Sequence, residues 1–395
     1  MDKSKNSYLT PISLGVATVW FSTHCGAGFA SGTQELQYFA NHGWFGVLFP
    51  LLTFLVIALT YYVGMETARQ TGKFSYNEWT KEAFGKYSKI FSPGMEISVI
   101  IVTIAASAAT LATGGLLVNQ YLGLPVLLGS FIMLVIITLI CIFGESVVRK
   151  NAMIMSAAII GIISIVIVAG LIKFWPDIVR LFSERYVNPQ AAKWSIENTT
   201  ETVQGSVGNA LLWALTYAGF QIGAVGGIVA SFKGGLYKKE AQGAIIIGYF
   251  MNVIMLIGIA LLIFSQMPGI YLDEATRALP TIAVVNQLDI PALEVLYPIL
   301  LFLALITTAV GLIFGMIARV EPYVLKNMDN VLLKKTIISV GCLVVCYLIS
   351  TLGLMWVVQT AYKYLGIWSW IFNILPLWFI GYKRLRDRDK LGAVK

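Results

Sequence analysis

The sequence predicts an all-α integral membrane protein with about ten transmembrane helices. Three observations carry this prediction: 57% of the 395 residues are hydrophobic, only 12% are charged, and the apolar residues form long runs. A soluble domain carries roughly 25% charged residues, and a helix needs about 20 mainly apolar residues to cross a bilayer. No polar linker is long enough to separate domains, so we expect residues 1–395 to form a single transmembrane domain.

Ten apolar runs are long enough to cross the bilayer once each. Polar residues such as Lys363 separate the last two runs, whose ends are therefore the least distinct. The predicted spans are 11–39, 44–68, 92–118, 123–145, 152–173, 206–232, 240–265, 292–318, 335–358 and 366–381. An even number of spans places both termini on the same side of the membrane.

The basic residues indicate the orientation. Most of the 28 Lys and Arg residues lie in the two tails and in the segments that follow every second span. Because cytoplasmic segments carry an excess of Lys and Arg, we expect a cell-membrane protein with both termini cytoplasmic and 174–205 as an external loop. The net charge of +8 then reflects topology and contact with anionic membrane lipid, and no nucleic-acid partner is expected.

Two glycine-rich interruptions occupy matching positions, about half a chain apart. One lies around Gly26 in the first span and the other around Gly219 in the sixth. Each opens a group of five spans, and because five is odd the two groups insert with opposite orientations. Glycines often serve helix packing, but a matched pair beside polar residues predicts a 5+5 inverted repeat, 11–173 and 206–381, with broken helices 1 and 6 at a central binding site.

With these features the chain resembles the LeuT-fold transporters of the amino acid–polyamine–organocation superfamily. The stretch from Cys25 to Glu35, C-G-A-G-F-A-S-G-T-Q-E, is similar to the poorly characterised YkvI-type membrane proteins. The resemblance covers nearly the whole chain. It implies a secondary transporter that works by alternating access around the two broken helices.

The resemblance also implies a sodium site in span 8. Thr307 and Thr308 follow Ala304 by three and four residues, as in the family's sodium-binding stretch. Their hydroxyls, the Ala304 carbonyl and the carbonyls of Ser22 and Cys25 are five oxygen ligands of the kind that a hard cation prefers. The alternative is that these threonines bond back to the backbone of their own helix.

A substrate site is implied at the two breaks. The N–H groups of Gly26, Ala27 and Gly28 lie at a helix N-terminus, which favours an anion. Relatives that carry amines without a carboxylate have Asp at the place of Gly26, so glycine favours a substrate carboxylate. Matching positions elsewhere are Ser107 and Thr110 in span 3, and Tyr217, Gly219, Phe220 and Gln221 in span 6. Phe220 either caps the substrate or packs, and small residues in span 3 fit either a larger pocket or tight packing.

His24 and Glu35 are ionisable residues within span 1. Such residues are costly in lipid and are functional candidates by default. Glu35 is expected to act as a gate or to meet the substrate's amine, and its alternative is a water-facing position near the surface. His24 is a candidate for titration near neutral pH or for a structural hydrogen bond.

The leading interpretation is a sodium-coupled symporter for an amino acid or related zwitterion, with no other cofactor. Span 5 has no lysine before Lys173, which by the same resemblance favours sodium over protons. Proton coupling or exchange of an amine or organic solute, and a solute-binding sensor, stay open, as do a monomer and a homodimer. An enzyme is not expected, because the chain has only two histidines and no catalytic motif.

Overall fold

The structure is almost entirely helical. A computed structural model describes residues 7–24, 26–143, 145–197, 201–321, 323–324 and 328–390. Within these ranges, nine helices are long and apolar enough to cross a membrane. The first predicted span is not among the nine because it is divided into helices of 14, 5 and 6 residues. Together they confirm a protein of about ten spans.

We number the spans 1 to 10 in chain order. Span 1 consists of Pro11–His24 (1a), followed by Ala27–Ser31 and Thr33–Tyr38 (together 1b). Span 6 consists of Val207–Gln221 (6a), a 3-10 turn at Ile222–Ala224, and Val225–Ser231 (6b). The others are Pro50–Thr71 (2), Ser88–Leu122 (3), Val126–Phe143 (4), Glu145–Ser183 (5), Lys238–Ser265 (7), Pro291–Val320 (8), Val331–Ser350 (9) and Leu354–Lys390 (10).

Short elements connect the spans. They are the helices Tyr76–Phe84, Gly269–Leu272, Glu274–Ala278 and Pro280–Asn286, the 3-10 turns Ala40–His42, Gly46–Leu48 and Gly85–Tyr87, and the antiparallel strands Ala191–Ala192 and Thr202–Val203. Proline and glycine mark several span ends. Spans 2 and 8 begin with Pro50 and Pro291, where no helical N–H partner is needed. Spans 2 and 3 end before the left-handed Gly72 and Gly123, as is common for helix C-termini.

The packing follows the inverted repeat. Span 1 packs against span 7, and its counterpart in the second half, span 6, packs against span 2. The most apolar window of span 6 is 72% buried, whereas those of spans 4 and 9 are 28% and 22% buried. Spans 4 and 9 occupy equivalent positions in the two repeats, so the repeat places the broken spans centrally and this pair at the lipid-facing edge.

Several predicted boundaries are wrong, and those of spans 5, 9 and 10 differ most. Span 5 continues as a helix to Ser183, ten residues beyond the expected end, so 174–205 is only partly a loop. Spans 9 and 10 were expected at 335–358 and 366–381, but the chain turns at Gly353, which has a φ of 89°. Lys363 therefore lies inside span 10, where its ammonium donates a hydrogen bond to the carbonyl of Ser195. That contact lets a charged residue sit in a buried part of the helix.

The two ends of the bundle differ in composition. At one end, called the loop end, the segments 184–197, 201–205 and 266–290 cover the spans. At the other end, called the basic end, Arg384 and Arg388 of span 10 donate hydrogen bonds of 2.9 and 2.7 Å to the carbonyl of Glu82. The binding site lies between these ends.

Candidate substrate and ion site

The helix of span 1 ends at His24, and a new helix begins at Ala27. Gly26 is extended, with φ −81° and ψ −167°, and no side chain caps the short helix that follows. Its N–H donates to the carbonyl of His24 at 2.8 Å, and Gly32, with φ 83°, divides span 1b. A Cβ added at Gly26 would have Thr308 Cγ2 as its nearest neighbour, at 3.6 Å. The break therefore borders open space, on the far side of which lies span 8.

That open space is a cavity of about 260 Å³ between spans 1, 3, 6 and 8. It extends from the break to Arg319, at the basic end of span 8. The other polar side chains of its wall are Thr23, His24, Gln34, Thr103, Gln221, Thr308 and Tyr362. Among the described residues no carboxylate lines the cavity. The wall can thus offer hydroxyl, amide, imidazole and backbone groups to a small polar molecule.

His24 is the best-connected side chain of the cavity wall. It closes span 1a and is 4% exposed. Its Nδ1 lies 2.8 Å from Asn252 Oδ1 on span 7, and its Nε2 lies 2.5 Å from the Tyr217 hydroxyl on span 6a. Tyr217 also donates to Gln34 Oε1 at 3.3 Å. One hydrogen-bonded network therefore joins both halves of span 1 to spans 6 and 7.

Aromatic contacts close the cavity toward the loop end. Phe220 stacks on Tyr362 of span 10, with centroids 4.5 Å apart and ring planes at 4°. Tyr297 donates a hydrogen bond of 2.6 Å to the Ala30 carbonyl, and Thr33 donates one of 2.8 Å to the Ala278 carbonyl in the covering loop. These contacts join span 6a to span 10, and span 1b to span 8 and to the covering loop.

The basic end of the cavity carries a partly exposed ion pair. Arg319 pairs with Glu96 of span 3, and the two side chains are 30% and 34% exposed. The Arg319 guanidinium also lies over the Tyr76 ring, 5.2 Å from its centroid. Exposed pairs of this kind contribute roughly 0–1 kcal/mol. The contacts at this end are thus weaker than the buried stack at the loop end.

The predicted substrate residues divide into two groups. His24, Gly26, Gly28, Phe220 and Gln221 line the cavity. Those that do not line it are Tyr217, Gly219, Glu35, Ser107 and Thr110, and the side chain of Ala27 lies outside the described part.

The residues away from the cavity have other surroundings. A Cβ at Gly219 would lie 2.3 Å from the Gly366 carbonyl oxygen, so Gly219 serves the close packing of spans 6 and 10. Thr110 donates to the Ala106 carbonyl of its own helix. Glu35 is fully buried, and neither carboxylate oxygen has a hydrogen-bond partner in the described part of the chain. The alternative of a water-facing Glu35 is therefore wrong.

The five predicted sodium ligands do not form a closed site in this arrangement. Thr308 faces the cavity beside Gly26, but Thr307 donates hydrogen bonds of 3.0 Å to the carbonyls of Leu303 and Ala304 in its own helix. The Ser22 hydroxyl donates to the Val19 carbonyl of span 1a, a contact that leaves the predicted ligand, the Ser22 carbonyl, untested. Cys25 lies outside the described residues.

Several site residues escaped the sequence-based prediction. Gln34 and Asn252 complete the network of His24, and Tyr362 completes the stack on Phe220. On span 8, Gly311 and Gly315 continue the cavity wall from Thr308 to Arg319. In the sequence, Thr308, Gly311, Gly315 and Arg319 follow one another at intervals of three or four residues, which places them on one face of the helix. This spacing could have indicated the cavity wall, but it is also typical of simple helix packing.

Sequence comparison finds one distant relative and no matching family profile. The relative is YkvI, an uncharacterised membrane protein of Bacillus subtilis (strain 168), which is 21% identical over 384 residues. The match covers 96% of each chain. The resemblance noted around Gly26 thus extends over the whole sequence.

Comparison of structures identifies the fold. A Na⁺-coupled sialic acid symporter in its substrate-bound outward-open state matches with a TM-score of 0.59 and 14% identity, over 94% of this chain and 78% of that chain. Mhp1 in its inward-facing conformation matches with a TM-score of 0.59 and 10% identity, over 90% and 73%. MhsT in complex with L-phenylalanine matches with a TM-score of 0.58 and 13% identity, over 94% and 96%.

The chain has the LeuT fold. The predicted all-α LeuT-type architecture is confirmed by these neighbours. Span 1 is broken at Gly26, whereas span 6 stays helical and only tightens to a 3-10 turn at Ile222–Ala224. The cavity lies beside the two breaks, where transporters of this architecture hold their substrates.

Proposed function

We propose that this protein is a secondary active transporter of a small organic solute in the cell membrane. The observation that carries the proposal is the cavity of about 260 Å³ between spans 1, 3, 6 and 8, whose mainly apolar wall carries a few polar groups beside the break of span 1. Its volume lies below the roughly 300–1,000 Å³ of pockets for drug-sized ligands, so a solute of amino-acid size suits it. Coupled transport among the LeuT-fold neighbours supports the same reading.

Alternating access accounts for the difference between the two ends. The buried Phe220–Tyr362 stack closes the loop end, whereas the cavity reaches Arg319 at the basic end. We place the basic end in the cytoplasm, following the excess of Lys and Arg in cytoplasmic segments. This arrangement is then the inward-facing one, and transport requires a second arrangement in which the stack parts and the cavity closes around Arg319.

A carboxylate-bearing zwitterion is the solute class that we favour. The cavity wall contains no carboxylate among the described residues, so an amine without its own carboxylate lacks a charged partner. Gly26 leaves space beside backbone that no side chain caps, where a substrate carboxylate can approach. Glu35 lies outside the wall, and we assign it to the outer gate instead of to the substrate's amine.

Sodium is the coupling ion that we favour. In this proposal the carbonyls of Ser22, Cys25 and Ala304 and the hydroxyls of Thr307 and Thr308 surround the ion in the outward-facing state. The 3.6 Å separation between Thr308 Cγ2 and a Cβ position on Gly26 supports a shared site between spans 1 and 8. Closing that site requires Thr307 to give up the hydrogen bonds within its own helix.

The first experiment is a thermal-stability screen of the detergent-purified full chain, followed by counterflow in proteoliposomes. The probes are L-alanine, L-phenylalanine and N-acetylneuraminate, each in sodium and in potassium at equal ionic strength. A ligand present at 100 times its Kd stabilises the native state by about 2.7 kcal/mol. We expect at least one probe to stabilise the protein, to do so more strongly in sodium, and to support counterflow.

A pair of variants tests the sodium site. Thr308→Val removes the hydroxyl of a residue that lines the cavity, whereas Thr138→Val removes a hydroxyl that donates to the Leu134 carbonyl of its own span 4. We expect only Thr308→Val to abolish the difference between sodium and potassium. If both variants keep that difference, sodium does not bind at Thr308.

A proton-coupled transporter or exchanger is the second candidate. The network of His24 with Tyr217 and Asn252 favours it, because it places in the cavity wall the one type of side chain whose ordinary pKa lies near neutral. Stabilisation that follows pH and ignores sodium supports this candidate. Specific binding without counterflow supports the third candidate, a solute-binding sensor.

A further inference from the structure

A second cavity lies away from the central one, on the surface of the bundle. It is a groove of about 470 Å³ between the loop-end parts of spans 3 and 8. Span 3 lines it between Leu117 and Leu122, and span 8 lines it between Glu294 and Leu303. The described residues that line this groove are different from those that line the central cavity. The groove is therefore a separate candidate for a binding site.

The shape of the groove fits a hydrocarbon chain. Leu122, Val295 and Ile299 in its wall are apolar and more than half exposed, and exposed apolar surface of this kind marks a contact with membrane. Glu294 and Leu303 are nine residues apart, which is about 14 Å along a helix. Half of the roughly 30 Å hydrocarbon core is about 15 Å. The groove thus has the length of one acyl chain in the leaflet that borders the loop end.

The mouth of the groove carries a carboxylate. Glu294 lies in the first turn of span 8, where the helix N-terminus stabilises a negative charge. It is the one charged residue among the described residues of the wall. Within the described ranges no Lys or Arg pairs with Glu294, whereas the nearby Asp289 pairs with Lys173. Because a carboxylate beside hydrocarbon is costly without a positive partner, the mouth is suited to a cation.

Tyr121 adds a hydrogen-bond donor to this wall. It lies one residue before the end of span 3, and its side chain is half-exposed. Its hydroxyl can donate to a phosphate oxygen, and the Glu294 carboxylate can accept from an ammonium group. A primary ammonium offers three N–H donors, whereas the quaternary ammonium of a choline headgroup has none and a glycerol headgroup has no cation. The wall therefore matches an ethanolamine headgroup best.

We propose that this groove is a binding site for phosphatidylethanolamine. One acyl chain lies between spans 3 and 8, the ammonium group meets Glu294, and the phosphate lies within reach of the Tyr121 hydroxyl. The same two spans line the central cavity with Thr103 and Thr308, so the lipid joins two walls of that cavity from outside. A lipid that binds only the native protein raises its stability by mass action.

Native mass spectrometry of the detergent-purified full chain tests the headgroup. The probes are dioleoyl phosphatidylethanolamine, phosphatidylcholine and phosphatidylglycerol at equal concentrations. We expect one tightly bound phosphatidylethanolamine per chain in the wild type. Glu294→Gln removes the charge that assists the hydrogen bond and should raise the Kd for this lipid about tenfold. Asp289→Asn is the matched control, because it removes a paired carboxylate at the same end, and it should leave the Kd unchanged.

Three results of this measurement overturn the proposal. The first is equal affinity of the wild type for the three lipids, which is the behaviour of bulk lipid around any membrane protein. The second is a wild-type Kd in Glu294→Gln. The third is an equal loss of affinity in Asp289→Asn, which would assign the preference to the general charge of the loop end.

A pair of tryptophan variants tests the acyl-chain groove. Ile299→Trp fills the groove, whereas Leu348→Trp adds the same ring at an exposed apolar position of span 9. In nanodiscs we expect phosphatidylethanolamine to raise the melting temperature of the wild type and of Leu348→Trp above that in phosphatidylglycerol. Ile299→Trp should lose this difference. If Ile299→Trp keeps it, the chain does not bind in this groove.

The measured masses also test a second copy of the chain as the occupant. Lipid-free dimers that Ile299→Trp dissociates would make the groove an interface between copies and overturn the lipid site. Neither experiment uses a transported solute. A failure here therefore leaves the proposed transport function standing, and a failure of the solute screen leaves the lipid site standing.

Discussion

The two broken spans use glycine in opposite ways. In span 1 the chain leaves the helix at Gly26, whose Cβ position faces open space with one atom at 3.6 Å. In span 6 the backbone stays helical through a 3-10 turn at Ile222–Ala224, and Gly219 packs against the Gly366 backbone. The comparison teaches that one glycine-rich signal can create space for a ligand in one repeat and close helix contact in the other.

The contrast predicts a large loss of stability for Gly219→Ala. The added Cβ would lie 2.3 Å from the Gly366 carbonyl oxygen, and backbone atoms cannot yield as a flexible side chain does. Overpacking of this kind costs about 1–3 kcal/mol or more, which exceeds the roughly 1 kcal/mol gained by replacing a helical glycine with alanine. Thermal unfolding of the purified protein measures the change.

Gly208→Ala is the matched control for this variant. Gly208 lies in the same helix, span 6a, and has no atom within 4 Å of its Cβ position. We expect its stability to stay the same or to rise. Equal melting temperatures for the Gly219→Ala and Gly208→Ala proteins would show that spans 6 and 10 are not in close contact.

Gly26→Ala should show the reverse pattern, with binding lost and stability kept. The backbone angles of Gly26 are accessible to alanine, and its Cβ would meet only the Thr308 methyl group at 3.6 Å. A strain-free replacement of glycine by alanine stabilises a protein by about 0.4–1 kcal/mol. The methyl group nevertheless occupies the space beside the break, so we expect the affinity for the best probe to fall more than tenfold. A wild-type Kd would place the substrate elsewhere.

Gly28→Ala should weaken binding less than Gly26→Ala does, and it should act by displacing the Gln34 side chain. Its Cβ would lie 2.1 Å from the Gln34 amide nitrogen, but this amide is the end of a flexible side chain and can move aside. We expect a stability change below about 1 kcal/mol and an affinity loss of about tenfold. The double variant with Gln34→Leu should bind no worse than Gln34→Leu alone, and additive losses would argue that Gly28 acts independently.

The fold was predictable because its signals are local in sequence. The length of apolar runs identifies the spans, and the paired interruptions around Gly26 and Gly219 identify the inverted repeat. The ends of spans 9 and 10 were not predictable by the same means. Lys363 resembles a loop residue in sequence, and only its contact with the Ser195 carbonyl, 168 positions away, explains its place inside a helix.

The site was predictable only where it lies on a break. His24, Gly26 and Phe220 were found because they adjoin the glycines. Gln34 and Asn252 were missed because their importance depends on which faces of spans 1b and 7 turn toward His24. Amphipathic periodicity does not supply that information in spans that are apolar on nearly every side.

The smallest expected effect concerns the tyrosines that hold carbonyl groups near the two breaks. Tyr61 donates a hydrogen bond of 2.9 Å to the Gln221 carbonyl at the start of the 3-10 turn, and Tyr297 donates to the Ala30 carbonyl in span 1b. A typical buried hydrogen bond contributes about 0.5–1.5 kcal/mol. We expect Tyr61→Phe and Tyr297→Phe each to lower the free energy of unfolding by about 1 kcal/mol in thermal or denaturant titrations.

Tyr249→Phe is the control, because the Tyr249 hydroxyl donates to the Leu51 carbonyl at an exposed position. Its loss should lower the free energy of unfolding by less than about 0.5 kcal/mol.

The two test variants should differ in function, since span 1b must move when the loop end opens and the turn in span 6 is fixed by packing. Tyr297→Phe should therefore increase cysteine-labelling access from the loop end, and Tyr61→Phe should not. If both variants increase access equally, the turn in span 6 is as mobile as the break in span 1, and the two glycine-rich segments form a matched pair of hinges.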